Sequence, residues 1–110
     1  MSLAAAQARL QMNIARTSDL EIQGQFINQA RMQLANVVGA MWSVTANLEP
    51  ENPIAMQIQS QIAAIQTKDK TLETSLSRLD TQRKTLNTER EALQKQIDKN
   101  INFSFKTFGQ

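Results

Sequence analysis

Residues 47–56 read "NLEPENPIAM", and this stretch decides the fold. Pro50 and Pro53 bracket two polar residues, Glu51 and Asn52. A residue that precedes proline is pushed out of the α region, so a helix should stop near Leu48 or Glu49. Asn52 is a good helix cap and Pro53 suits a first helical position, so a second helix should begin at once. Pro50, Glu51, Asn52 and Pro53 therefore predict a tight turn over 49–53 between two helices.

Outward from the turn on the C-terminal side the pattern is regular. Ile58, Ile65, Leu72, Leu79, Leu86 and Leu93 recur every seven residues. Between them lie Ile62, Asp69, Leu76, Arg83, Arg90 and Ile97. Sustained seven-residue spacing predicts a long helix with coiled-coil packing over 53–102. Asp69, Arg83 and Arg90 interrupt the apolar seam, which argues against a simple parallel dimer zipper and for a looser or antiparallel partner. On the N-terminal side Leu20, Ile27, Leu34, Met41 and Leu48 are again seven apart, with Ala30, Val37 and Val44 between them. Phe26, Val38 and Trp42 widen that apolar face, and a wide stripe can meet more than one neighbour. Ser18 and Glu21 have capping-box spacing and Gly24 lowers helix propensity. Helices over 3–16 and 19–48 are therefore expected, with a kink near 17–24 or continuity through it both left open. The fold expected is all-α: one domain, a long antiparallel helical hairpin.

Composition removes most chemistry. The 110 residues contain no Cys and no His, which excludes disulfides, Cys/His metal sites and the commonest nucleophile and base. Three Gly and two Pro leave too few turns for an all-β fold. Asp69 and Glu73 stand one helical turn apart, but Lys68 and Lys70 flank them, so a solvated helix face outweighs a divalent-cation site. There is no Gly-rich phosphate loop. Lys95, Lys99 and Lys106 form a weak stripe that Glu91 and Asp98 dilute, which argues against nucleic acid. No enzyme, cofactor or metal is expected. No run reaches the roughly 20 apolar residues of a membrane span. The start, "MSLAAAQARLQ", lacks a basic n-region and is interrupted by Arg9, so it does not read as a cleavable signal.

The C-terminus holds three of the four Phe residues, Phe103, Phe105 and Phe108, in the stretch 103–110. On a continued helix Ile101, Phe105 and Phe108 share one face. By length, a folded-back hairpin places residue 108 beside residues 1–6. Leu3, Ala4 and Leu10 are too small to cover three rings there, so 103–110 is expected to anchor the chain on other copies.

A Pro50-Glu51-Asn52-Pro53 turn, followed by "IAMQIQSQI" in a Cys-free chain, resembles the needle subunits of type III secretion systems. The Ala-, Gln- and Asn-rich composition is also similar to flagellar axial proteins. The resemblance implies an exported subunit that polymerises into a helical tube, found outside the cell or on its surface. The expected function is thus a structural subunit that self-assembles through helix packing into a filament or tube. Its partners would be copies of itself and an export apparatus. Phe26, Trp42, Ile101, Phe103, Phe105 and Phe108 are the expected contacts between copies. The seam Leu20, Ile27, Leu34, Met41, Ile58, Ile65, Leu72, Leu79, Leu86 and Leu93 would hold each hairpin. The rival expectation is a cytoplasmic coiled-coil adaptor or secretion chaperone of small fixed size.

Overall fold

The computed structural model describes residues 2–108, with side chains as far as residue 106. It is all-α. Helix α1 spans Leu3–Thr45 and helix α2 spans Pro53–Phe108. The two run antiparallel and pack in two units. Unit 1 joins α1 up to Ile22 with α2 from Leu79 onward, and unit 2 is Gln23–Arg78.

The helix ends follow from local chemistry. Ser2 caps α1: its Oγ accepts the Ala5 N–H at 3.1 Å. The break expected between 16 and 19 is absent, and α1 is one helix through that region. Thr17 donates its hydroxyl to the Asn13 carbonyl at 2.9 Å, back along the helix, and both residues turn inward. The inward stripe thus runs straight through the apparent capping box. At the other end α1 stops at Thr45 rather than 48. There the Asn47 N–H bonds Val44 O and the Leu48 N–H bonds Thr45 O, a tightening of the last turn to i→i+3 spacing. Residues 46–52 make the turn, and the Asn52 N–H closes on Glu49 O at 3.0 Å. Asn52 Oδ1 then accepts the Ile54 N–H at 2.8 Å, with Pro53 at the first position of α2, where its missing N–H costs nothing.

Helix α2 does not stop at 102. It continues to Phe108, so the segment expected as a separate anchor from 103 is a helical extension; residues 109 and 110 lie outside the described residues. Lys106 in its last turn faces the negative end of the helix dipole, which favours the extension. Hydroxyls also make α2 polar without charge. Thr67, Thr71, Thr74, Ser75, Thr85 and Thr88 each donate to the carbonyl four residues earlier at 3.1–3.2 Å. That bond satisfies the hydroxyl on the exposed helix surface, where β-branched residues otherwise gain little.

Within each unit the inward positions alternate by three and four, the spacing of coiled-coil seams. In unit 1 Leu3, Ala6, Leu10, Asn13, Thr17 and Leu20 of α1 are half-buried or buried. From α2 the corresponding set is Leu79, Leu86, Arg90, Leu93, Ile97 and Asn100. In unit 2 the α1 set is Gly24, Ile27, Arg31, Leu34, Val38, Met41 and Thr45, and the α2 set is Ala55, Ile58, Ile62, Ile65, Asp69, Leu72 and Leu76. The companions expected in α1 were different. Ala30 is half-buried as expected, but Val37 and Val44 are exposed. Gly24, Arg31, Val38 and Thr45 take the inward places instead. Two of those four are polar and one is glycine, so hydrophobicity alone ranks the wrong set.

Candidate functional site

Two features stand out from residues upward: polar groups inside the helix seams, and apolar groups outside them. The polar seam groups occur in partnered sets. Asn13 is the one buried polar side chain among the described residues, 1% exposed. Its Nδ2 donates to Leu86 O at 2.7 Å, and its Oδ1 accepts from Arg90 Nε at 3.4 Å. Arg83, also of unit 1, stands 3.6 Å from Glu21. In unit 2 Arg31 donates to both carboxylate oxygens of Asp69, at 2.8 and 3.3 Å, and lies 3.9 Å from Glu73. The hydrogen bond from Arg31 holds the Asp69 carboxyl below its ordinary range against a smaller opposing effect of desolvation. The same bond raises the Arg31 guanidinium. Thus the residues that seem to spoil the seam of α2 each meet a complementary group on α1. The Asp69 and Glu73 pair has an arginine against it, and among the described residues no cluster of three or more acidic groups is arranged for a metal.

An open groove of about 370 Å³ lies in unit 2 beside the Arg31 and Asp69 pair. Met32, Ala35, Val38 and Ile65 supply its apolar walls.

The apolar exterior is larger. Phe26 is 66% exposed and Trp42 49%, although Trp42 is the only Trp in the chain. Ile101 is half exposed, Phe103 is 72% exposed and Phe105 77%. The side chain of Phe108 lies outside the described residues. Sequence reasoning singled out these positions but overlooked others, among them Met12, Ile22, Met32, Ile54 and Met56, all exposed. A signal for part of this set was present. Between residues 32 and 67 the only charged side chains are Glu49 and Glu51, both in the turn. A helix pair bathed on its outer faces by water normally carries charge there. Here Gln, Asn, Ser and Thr alternate with Met, Val, Ile and Trp.

The seam residues point the other way. Ile62, Leu86 and Leu93 are buried, while Leu20, Ile27, Leu34, Met41, Ile58, Ile65, Leu72 and Leu79 are half-buried. Only the close face of each is covered by the opposing helix.

Register in unit 1 decides where the C-terminal Phe residues stand. Asn13 lies against Leu86. Ten residues down each antiparallel helix from there, Leu3 comes level with about residue 96. Helix α2 therefore runs on past the start of α1 by about twelve residues, or roughly 18 Å at 1.5 Å per residue. Residues 101–106 are all exposed, as that register requires. The length estimate that set residue 108 beside residues 1–6 is thus displaced by about three turns. It neglected the turn, which shortens α1 relative to α2, and the extra length of α2.

Comparison with protein-family models, with curated proteins and with solved structures finds no match. Among the described residues no helix is long and apolar enough to cross a membrane.

Proposed function

We propose that the protein is a structural subunit whose activity is self-association through its outer helix faces, growing into a filament or tube. The observation that carries this reading is the balance between covered and uncovered apolar groups. The only large apolar side chains buried among the described residues are Ile62, Leu86 and Leu93, whereas thirteen large ones are exposed. An exterior with so little charge over residues 32–67 lacks the usual defence against association. The two-proline turn capped by Asn52 is compatible with the needle-subunit resemblance, and export from the cell is part of the same proposal.

Sedimentation velocity over a hundredfold range of concentration, with negative-stain microscopy of the same samples, tests it. Open-ended growth with visible filaments is expected. A dilution-insensitive monomer refutes self-association. A single small oligomer that stops growing replaces the filament by the adaptor reading.

A further inference from the structure

Two surfaces, one in each unit, are unlike the rest and complement each other. The first belongs to unit 1. It is the part of α2 beyond Asn100, the last half-buried position of its seam, where residues 101–106 are all exposed. At 100° per residue Ile101 and Phe105 share one face of this segment. Lys95, Lys99 and Lys106 fall within about 40° of one another on a different face, and Asp98 lies about 20° from Phe105 between the two, so the three cations outnumber one anion. All of these side chains are exposed. The second surface belongs to unit 2. It is the helix pair next to the turn, where Trp42 of α1 and Met56 of α2 are exposed and the only charges are those of Glu49 and Glu51; Val44 and Ile54, each about 200° around its helix from these, are exposed on other sides. One surface is apolar with a cationic flank; the other is apolar with an anionic rim.

We infer that copies join through these two surfaces, the α2 extension of one copy docking on the turn-proximal helices of the next. This rests on the self-association reading and names the surfaces that carry it. The occupant of the extension is a second copy because the chain itself offers the matching patch, opposite in charge and equally apolar. Such a contact uses two different patches, so a joined pair still has one free patch of each kind. Heterologous contacts of this sort either close into rings or continue without limit. Burying Ile101 and Phe105 supplies the driving force. The lysine and glutamate pairs set orientation and encounter rate more than affinity, and salt should weaken them.

Complementation between two disabled variants tests the inference. Ile101→Asp with Phe105→Asp disables the extension, and Trp42→Asp with Met56→Asp disables the turn-proximal patch. All four positions are exposed, so circular dichroism should report unchanged helicity in both variants. Each variant alone should sediment as single copies at concentrations where the unaltered chain grows. Mixed in equal amounts they should form dimers and stop, because one intact patch of each kind remains in the mixture. Glu49→Lys with Glu51→Lys should reduce growth at low salt, and combination with Lys99→Glu and Lys106→Glu should restore it. If the extension variant grows as the unaltered chain does, the inference falls while self-association stands. If the mixture stays monomeric, the pairing of these two patches is wrong. If the unaltered chain does not associate at all, the parent reading fails first. Binding of the unaltered chain to phosphatidylserine vesicles, lost in the extension variant without any change in growth, would assign the extension to a lipid surface and overturn the docking.

Discussion

Asn13 offers the sharpest test of how the seam is held, because replacements there separate a hydrogen bond from simple packing. Its amide is buried and donates to Leu86 O at 2.7 Å, while its oxygen takes a longer bond of 3.4 Å from Arg90. Removing the side chain as Asn13→Ala forfeits one good hydrogen bond, a net of about 1 kcal/mol. The Leu86 carbonyl keeps its own ladder bond in mid-helix, and Arg90 is open enough for water to replace its partner, so no buried group is orphaned. With the packing lost, the expected cost is about 1–2 kcal/mol. Asn13→Leu loses the same bond but buries a side chain worth about 1.5–3 kcal/mol, so stability should stay level or rise slightly. Asn13→Asp keeps the shape but turns a donor into an acceptor facing a carbonyl, and buries a charge; a loss of about 3 kcal/mol or more is expected. Urea unfolding followed by circular dichroism at pH 7 and low protein concentration measures all three. With a slope of about 2 kcal/mol per molar, Asn13→Ala should lower the midpoint by roughly 0.5–1 M. The order expected is Leu at or above Asn, then Ala, then Asp. An Asn13→Ala variant as stable as the unaltered chain would mean that the amide does not donate to Leu86, and the register built on that bond would have to be withdrawn.

Other expectations follow from the same geometry. Leu93→Ala removes one of the few deeply covered side chains and should cost about 2–5 kcal/mol in the same urea assay. Asn52→Ala removes the cap of α2 and should cost about 0.5–2 kcal/mol. Gly24→Ala adds a Cβ that meets Leu76 Cδ2 at 3.9 Å, an ordinary contact, so the better helix former should raise stability by about 0.5–1 kcal/mol. Asp69 has a lowered pKa in the folded chain, so its contribution is present above its unfolded value of about 3.9 and is lost as pH falls through the lower folded value. Urea midpoints measured from pH 6 downward should therefore decline below about pH 4, and Asp69→Asn should flatten that part of the decline.

The turn and the seven-residue seam of α2 were legible because apolar residues occupy them almost without exception. In α1 one inward row was equally legible, from Leu20 to Leu48. Its continuation through Asn13 and Ala6 was not, since one is polar and the other small. The second inward row of α1 escaped altogether, because Gly24, Arg31 and Thr45 do not announce burial. Arg31 could have been found from its partner: it stands as far before Pro50 as Asp69 stands after it. An isolated charge in one seam is a prompt to look at the mirror position in the other. The extension of α2 past the start of α1 was out of reach for a different reason. It depends on register, which the spacing of either helix taken alone leaves undetermined.

The short link from Thr45 to Pro53 has an electrical consequence. It sets the carbonyl end of α1 next to the amide end of α2, and these termini carry partial charges of about half an elementary unit with opposite sign. Side by side they largely cancel. Neither helix needs a side-chain charge to offset its dipole at this end: α1 has no basic group in its last helical turn and α2 no acidic one in its first. Glu49 and Glu51 are then left as the principal source of the electric field at that tip, unscreened by any neighbouring cation in the sequence from 32 to 67.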